Sequence, residues 1–326
     1  MLIDKFHRPH NYLRISLTNN CNMRCFYCMP DEDYEVTPSS GIMQADEIEA
    51  LAKIFVSLGV NKIRLTGGEP LVRKDVARII HSLSELPVSL TLTTNGVRLH
   101  DFLPGIKQAG ISSLNISLDT LDASKFHLIT RRNNFDRVWN NIHATIREGI
   151  HVKINVVVMK GVNDEEIRDF VEWTKHTPVH VRFIEFMPFS GNQWKNGKVF
   201  SLKEILQTIE VKHSFIKLKD EMNDTAKKYI VPGHQGTFAV ISTMTAPFCS
   251  SCNRIRLTAD GKIRNCLFAK DETDLLTALR NNENVETLIR QNILKKHASH
   301  GGQFDGVLEK IQSNTIQNRS MIAIGG

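Results

Sequence analysis

The chain has 326 residues, of which 41% are hydrophobic and 23% charged, a globular composition that excludes a disordered or collagen-like chain. No stretch approaches the roughly 20 apolar residues of a membrane span, and the opening MLIDKFHRPHNYLRISL has no apolar h-region, so a cytoplasmic protein with no membrane partner is expected. Lys+Arg 41 against Asp+Glu 35 leaves +6, an excess that suits an anionic partner such as a phosphorylated metabolite or nucleic acid, although charge alone points rather to plain solubility.

From Asn11 to about Pro188, short β-branched runs alternate with segments of helical spacing. The runs are YLRISL (12–17), KIRLT (62–66), VSLTLTT (88–94), SLNIS (113–117), VKINVVVM (152–159) and VHVRFIEFM (179–187). Between them, Ile48, Leu51, Ala52 and Phe55 share one helical face and Gly59 ends the segment. Val138, Ile142 and Ile146 mark a second helix closed by Gly149. Asn163 and Asp164 are expected to cap a third, running to about Lys175. Alternating β and α elements predict an α/β fold with a parallel sheet and right-handed crossovers. A partial (βα)6 TIM-like barrel fits six such strands, and a doubly wound sheet is the alternative. In both, ligands gather at the C-terminal ends of the strands, where TGGEP (66–70), TTNG (93–96), SLDT (117–120) and EFMP (185–188) fall.

After about Phe200 the pattern changes. A polar linker, SGNQWKNGK (190–198), leads into a smaller α+β region. There Phe238–Thr243 reads as a strand, and Ile255–Thr258 with Lys262–Asn265 as a hairpin about Asp260-Gly261. Asp274–Arg280 and Val285–Lys295 read as helices. The expected division is 1–200 for the barrel and 201–326 for the C-terminal region with its Gly-Gly tail.

Six cysteines fall into two groups of three: Cys21, Cys25 and Cys28, then Cys249, Cys252 and Cys266. In a cytosolic chain, clustered thiols read as metal ligands rather than disulfides. Three soft thiolates suit zinc or an iron–sulfur cluster. Zinc needs a fourth ligand, for which His7 or His10 could serve the first group and His234 the second. The other reading is a four-iron cluster with one corner left open for a small molecule. Arg254 and Arg256, two apart on one strand face beside the second group, make an anion site there.

The array SLTNNCNMRCFYCMP, IRLTGGEPLVRKDV, LTTNG, LNISLDT, VKINVV, RFIEFMP, FCSSCNRIRLTADGKIRNCLF and the terminal IGG resembles the GTP 3′,8-cyclases. These are radical S-adenosylmethionine enzymes that open molybdenum cofactor biosynthesis. The resemblance runs from about residue 11 to the end. It implies two 4Fe-4S clusters, one on Cys21, Cys25 and Cys28 and the other on Cys249, Cys252 and Cys266. It implies S-adenosylmethionine bound to the first cluster and touched by Tyr27, Gly68, Ser117 and Met187. The guanine of GTP would bind the second cluster, with Arg14, Arg64, Thr93, Lys153, Arg254 and Arg256 contacting the nucleotide.

The catalytic set so implied is Arg14, Arg254, Arg256, Gly325 and Gly326, the glycine tail entering the active site. The implied reaction takes hydrogen from ribose C3′ and joins C3′ to guanine C8. A reduced electron donor of the flavodoxin or ferredoxin type would supply electrons, and cyclic pyranopterin monophosphate synthase would take the product. A monomer or homodimer is expected. Two alternatives are weaker. A peptide-modifying radical enzyme would carry more C-terminal cysteines, and a nucleic-acid-binding protein would show a recognition motif. The chain departs from the family at Asn19-Asn20 and at Lys227-Lys228.

Overall fold

The computed structural model describes residues 1–29, 37–192, 194–304, 311 and 316–325. Six βα units run in order: β1 (Tyr12–Ser16) and α1 (Ala45–Ser57), β2 (Lys62–Thr66) and α2 (Val76–Ser84), β3 (Ser89–Thr94) and α3 (Leu99–Gln108), β4 (Ser113–Ser117) with α4 (Ala123–Thr130) and α5 (Phe135–Arg147), β5 (His151–Val158) and α6 (Ile167–Trp173), and β6 (His180–Glu185) with α7 (Leu202–Glu210). The C-terminal part adds β7 (Ile216–Lys217), β8 (Lys227–Ile230), β9 (Thr237–Ile241), β10 (Arg254–Leu257), β11 (Lys262–Arg264), β12 (Thr273–Asp274), α8 (Leu275–Arg280), α9 (Val285–Leu294) and α10 (Met321–Ile324).

All six expected barrel strands are present, as are the expected hairpin and the helices read from apolar spacing. Asn163 does not cap α6 as expected. Its side chain instead ties loops together, donating to the Asp119 and Val157 carbonyls at 2.7 and 2.9 Å and accepting from the Met159 N–H at 2.8 Å. The segment expected as a polar linker is anchored as well. Trp194 is buried, and its indole N–H donates to the Phe186 carbonyl at 2.9 Å.

The strand order is β12-β11-β10-β1-β2-β3-β4-β5-β6-β9-β8-β7. From β1 to β6 each new strand is added on the same side. Right-handed crossovers in that order put every connecting helix on one face, so the sheet curls into an open, partial (βα)6 barrel. A doubly wound sheet needs a reversal of strand order, and none occurs between β1 and β6. The C-terminal region flanks the barrel on both sides, because β10 pairs parallel with β1 and β9 pairs parallel with β6.

Period-two alternation divides the two faces of the sheet. Leu13, Ile15, Ile63, Leu65, Leu92, Leu114, Ile116, Val152, Ile154, Val181 and Phe183 are fully buried and pack in one core with the helices. Between them stand Arg14, Arg64, Thr93, Asn115, Lys153 and Arg182, on the concave face. A barrel interior lined with cations and amides rather than aliphatics is built to hold a polar ligand. Among the described residues, no helix is long and apolar enough to cross a membrane.

Candidate active site

The loop after β1 carries Cys21, Cys25 and Cys28. It is pinned to the end of α4 by hydrogen bonds from the Arg24 N–H to the Thr130 carbonyl at 2.9 Å and from the Phe26 N–H to the Ile129 carbonyl at 3.1 Å. The three thiols line a cavity at the C-terminal mouth of the barrel together with Tyr27, Gly68, Thr93, Ser117 and Met187. Residues expected from five separate segments to bind one cofactor or its substrate therefore meet around one space. Burial pushes the Cys21 thiol up to about 11 and the Cys28 thiol up to about 12, and nearby carboxylates add to this. A bound cation or cluster core would reverse that balance.

The Gly-Gly turn after β2 is forced by contact. A Cβ on Gly68 would lie 2.3 Å from the Asn20 carbonyl oxygen and 2.7 Å from Ile322 Cδ1. Glu69 then staples this turn to the end of β3. Its carboxylate accepts from the Leu71 N–H at 3.0 Å, the Thr94 hydroxyl at 2.8 Å and the Asn95 N–H at 2.6 Å. Burial lifts the Glu69 carboxyl to about 7 even so. The Tyr27 hydroxyl donates to Asp119 Oδ2 at 2.6 Å, while the Val157 N–H donates to Oδ1 at 2.9 Å. These bonds fix the tyrosine ring against the cavity wall.

Cys249 and Cys252 bracket a 3-10 turn, Cys249–Ser251, and Cys266 follows β11. The antiparallel β10–β11 pairing brings Cys266 back beside them, near enough for the three thiols to influence one another. Among the described residues, no three His, Cys, Asp or Glu side chains converge on a single metal ion. Two of the three histidines considered for zinc are engaged elsewhere. His10 Nε2 lies 3.1 Å from Asp4 Oδ2, and His234 Nδ1 lies 2.9 Å from the Thr174 hydroxyl. His7 is exposed. Each donor set offers three thiolates, the number that a 4Fe-4S cluster with one open corner takes.

Between the two cysteine sites, four arginines stand side by side. Arg264 on β11 is opposite Arg256 on β10, Arg256 is opposite Arg14 on β1, and Arg14 is opposite Arg64 on β2. Arg254 lies close enough to act on Arg14 and Arg256. Arg264 is balanced by Glu272. Among the described residues, no carboxylate is ion-paired with Arg64, Lys153, Arg182 or Arg256. Burial, reinforced by neighbouring cations, pulls Lys153 down to about 8 and Arg182 down to about 9. So much buried like charge is held at a cost that an anionic ligand would offset.

Sequence reading missed Arg182 and Tyr12. Arg182 faces Arg64 and Arg14, hydrogen-bonds Asn155, and buries its Nε without a partner among the described residues. Its signal was present in the sequence, since it shares strand parity with the inward positions of β6. The Tyr12 hydroxyl accepts from Arg64 Nε. Although burial opposes ionisation, Arg64 and Arg14 bring the phenol down to about 7.

The chain terminus reaches this site. The Gly325 carbonyl accepts from Arg256, and Met321 and Ile322 line the first cavity. Gly325 has φ +86°, and a Cβ there would lie 2.9 Å from Ser16 Cβ. Gly326 lies outside the described residues.

Residues 15–174 match the model of the radical SAM superfamily, and residues 179–302 match that of Molybdenum Cofactor Synthesis C. The chain is 48% identical over 333 residues to GTP 3′,8-cyclase, mitochondrial, of Arabidopsis thaliana, covering 100% of this chain and 84% of that protein. It is 40% identical over 308 residues to GTP 3′,8-cyclase of Desulforamulus reducens, covering 92% of this chain and 95% of that one. Molybdenum cofactor biosynthesis protein 1 of Mus musculus is 46% identical over 332 residues, covering 99% of this chain, which spans only 51% of that longer relative. Among solved structures, Streptococcus suis SuiB bound to S-adenosylmethionine aligns with TM-score 0.60 at 16% identity, covering 97% of this chain and 77% of that one. That likeness is one of fold.

Proposed function

The chain belongs to the GTP 3′,8-cyclase family of the radical SAM superfamily, and on that premise we propose that it converts GTP to (8S)-3′,8-cyclo-7,8-dihydro-GTP, the first step of molybdenum cofactor biosynthesis. Its cofactors are S-adenosylmethionine and two 4Fe-4S clusters. The observation that carries the reading is the row of arginines lying between two three-cysteine sites.

Cys21, Cys25 and Cys28 would hold the first cluster and Cys249, Cys252 and Cys266 the second. When bound, S-adenosylmethionine and its cluster supply a one-electron source of a hydrogen-abstracting carbon radical. Tyr27, Gly68, Ser117 and Met187 orient the cofactor, Gly68 by letting the backbone come close. Arg14, Arg64, Thr93, Lys153, Arg254 and Arg256 hold GTP, and Arg182 adds to the positive field. Holding both ends of the nucleotide keeps ribose C3′ and guanine C8 in near-attack geometry, which is where this enzyme lowers the barrier. Ile322 and Met321 cover the mouth and exclude water.

The product is an isomer of GTP. One hydrogen atom leaves C3′, and an electron and a proton are returned after the ring closes. A reduced flavodoxin- or ferredoxin-type donor supplies electrons, and cyclic pyranopterin monophosphate synthase consumes the product.

The test is an anaerobic assay of reconstituted protein with S-adenosylmethionine and dithionite. Release of 5′-deoxyadenosine that depends on GTP, with formation of the cyclic isomer, is expected. Release that ignores GTP, or protein that binds zinc and no iron, would overturn the proposal.

A further inference from the structure

Lys296 follows α9 and is almost completely buried, with 2% of its surface exposed. Its ammonium donates to Cys252 Sγ at 3.4 Å and to the Arg254 carbonyl at 3.1 Å. Among the described residues, no carboxylate is ion-paired with it. A desolvated ammonium needs an anion, and the anionic partner at hand is a cysteine of the second site. The lysine is also held in place from outside. Arg8 donates to the carbonyls of His297 and Ala298, the next two residues, and to that of Cys249, at 2.8 Å each.

The first cysteine site is built differently. Among the described residues, Cys21 Sγ accepts from the Met23 N–H at 3.4 Å and from Asn95 Nδ2 at 3.8 Å. The cation beside it, Arg24, is directed at the carbonyls of Cys21 and Met23. Two buried carboxylates, Glu69 and Asp119, lie close enough to act on these thiols. The second site instead has Arg254 and Lys296 beside Cys252.

Reduction adds negative charge to a cluster, so a cation bonded to a ligand sulfur favours the reduced form and raises the potential. We propose that Lys296 is a positioning residue of the second site. Bonded to the Cys252 sulfur, its ammonium holds a cluster on Cys249, Cys252 and Cys266 at a higher reduction potential than the cluster on Cys21, Cys25 and Cys28. Electrons admitted at equilibrium fill the second site first. This rests on the two-cluster reading above.

The test is a potentiometric titration of the anaerobically reconstituted full chain, followed by electron paramagnetic resonance and by iron and sulfide counts. Two waves are expected, and the C249A/C252A/C266A variant should lose the higher one. Lys296→Met should move the higher wave to lower potential and leave the lower wave in place, with iron still at about eight per chain. Lys296→Arg should keep the wave where it is in the wild type. Unmoved waves in Lys296→Met with full iron would overturn the assignment. So would loss of second-site iron in both Lys296→Met and Lys296→Gln, which would make the lysine a structural support. Wild-type protein holding only about four irons would instead sink the two-cluster premise, and that result shows before any lysine variant is made.

Discussion

Arg14 on β1 stands directly opposite Arg256 on β10 in a parallel ladder that joins residues 242 positions apart in the chain. Like charges in register weaken a sheet. The pairing therefore opposes the stability of the empty protein and serves the bound one.

Replacing Arg256 by Gln keeps a donor for the Gly325 carbonyl and removes the charge. One charge-assisted hydrogen bond of about 1.5–3 kcal/mol is lost from the nucleotide complex, so GTP should bind about 10- to 100-fold more weakly. The nucleotide-free protein should melt at a slightly higher temperature, because the repulsion is relieved. Calorimetric titration with GTP and a thermal melt without it check the two signs. Equal destabilisation of both states would argue against the anion-holding role.

Arg8 links the residues before β1 to the second cysteine site. It is buried against Asp4 at 2.6 Å while bonding the carbonyls of Cys249, His297 and Ala298. Burial raises the Asp4 carboxyl, yet Arg8, His10 and the Phe6 N–H outweigh it and bring the group down to about 2, so it stays ionised. Arg8→Ala leaves that carboxylate with backbone N–H groups and His10 but without its charged partner, a defect of up to about 3–5 kcal/mol. Iron should fall by about half, with the loss confined to the second site. Iron analysis alongside the C249A/C252A/C266A variant makes the comparison.

Gly68→Ala places a methyl group 2.3 Å from the Asn20 carbonyl oxygen, which is backbone and cannot swing away. The turn after β2 must shift, and S-adenosylmethionine affinity should fall at least about tenfold while the chain still folds. Equilibrium dialysis with labelled cofactor measures this. Gly105→Ala, where a Cβ meets nothing within 4 Å, serves as the control and should bind normally.

His180 is buried, and burial followed by the charges of Arg182 and Lys153 brings its imidazole down to about 3. An unfolded histidine titrates near 6.5. Between those values the unfolded chain binds the extra proton and the native chain does not. The contribution is therefore complete above pH of about 6.5 and is lost as the pH falls toward 3, amounting to a few kcal/mol. Urea melts from pH 7 to pH 4.5 should show falling stability, with a shallower slope in His180→Asn. An unchanged slope in that variant would remove His180 as the cause.

Two kinds of information were readable along the chain. One was periodicity, since alternation in KIRLT and SLNIS marked β2 and β4 to the residue, and apolar spacing marked α1 and α5. The other was cysteine spacing, which placed Cys21, Cys25 and Cys28 together by proximity in the chain, and Cys266 beside Cys249 and Cys252 through the hairpin about Asp260-Gly261. Short or weakly patterned pieces were not legible. β7 and β12 have two residues each, and α10 has four, too few to show a period.

Local patterning suffices for the barrel's strands, the apolar faces of its helices, the Cys21, Cys25 and Cys28 triad and the hairpin that carries Cys266, because each depends on nearby residues. Global packing alone places the helices on one face of the sheet and β10 beside β1, so that Arg264, Arg256, Arg14 and Arg64 form one row. It alone brought Lys296 to Cys252 and Arg8 to the carbonyls of 297 and 298. Register between distant strands and contacts across about 240 residues are set by global packing, for which local periodicity carries no signal.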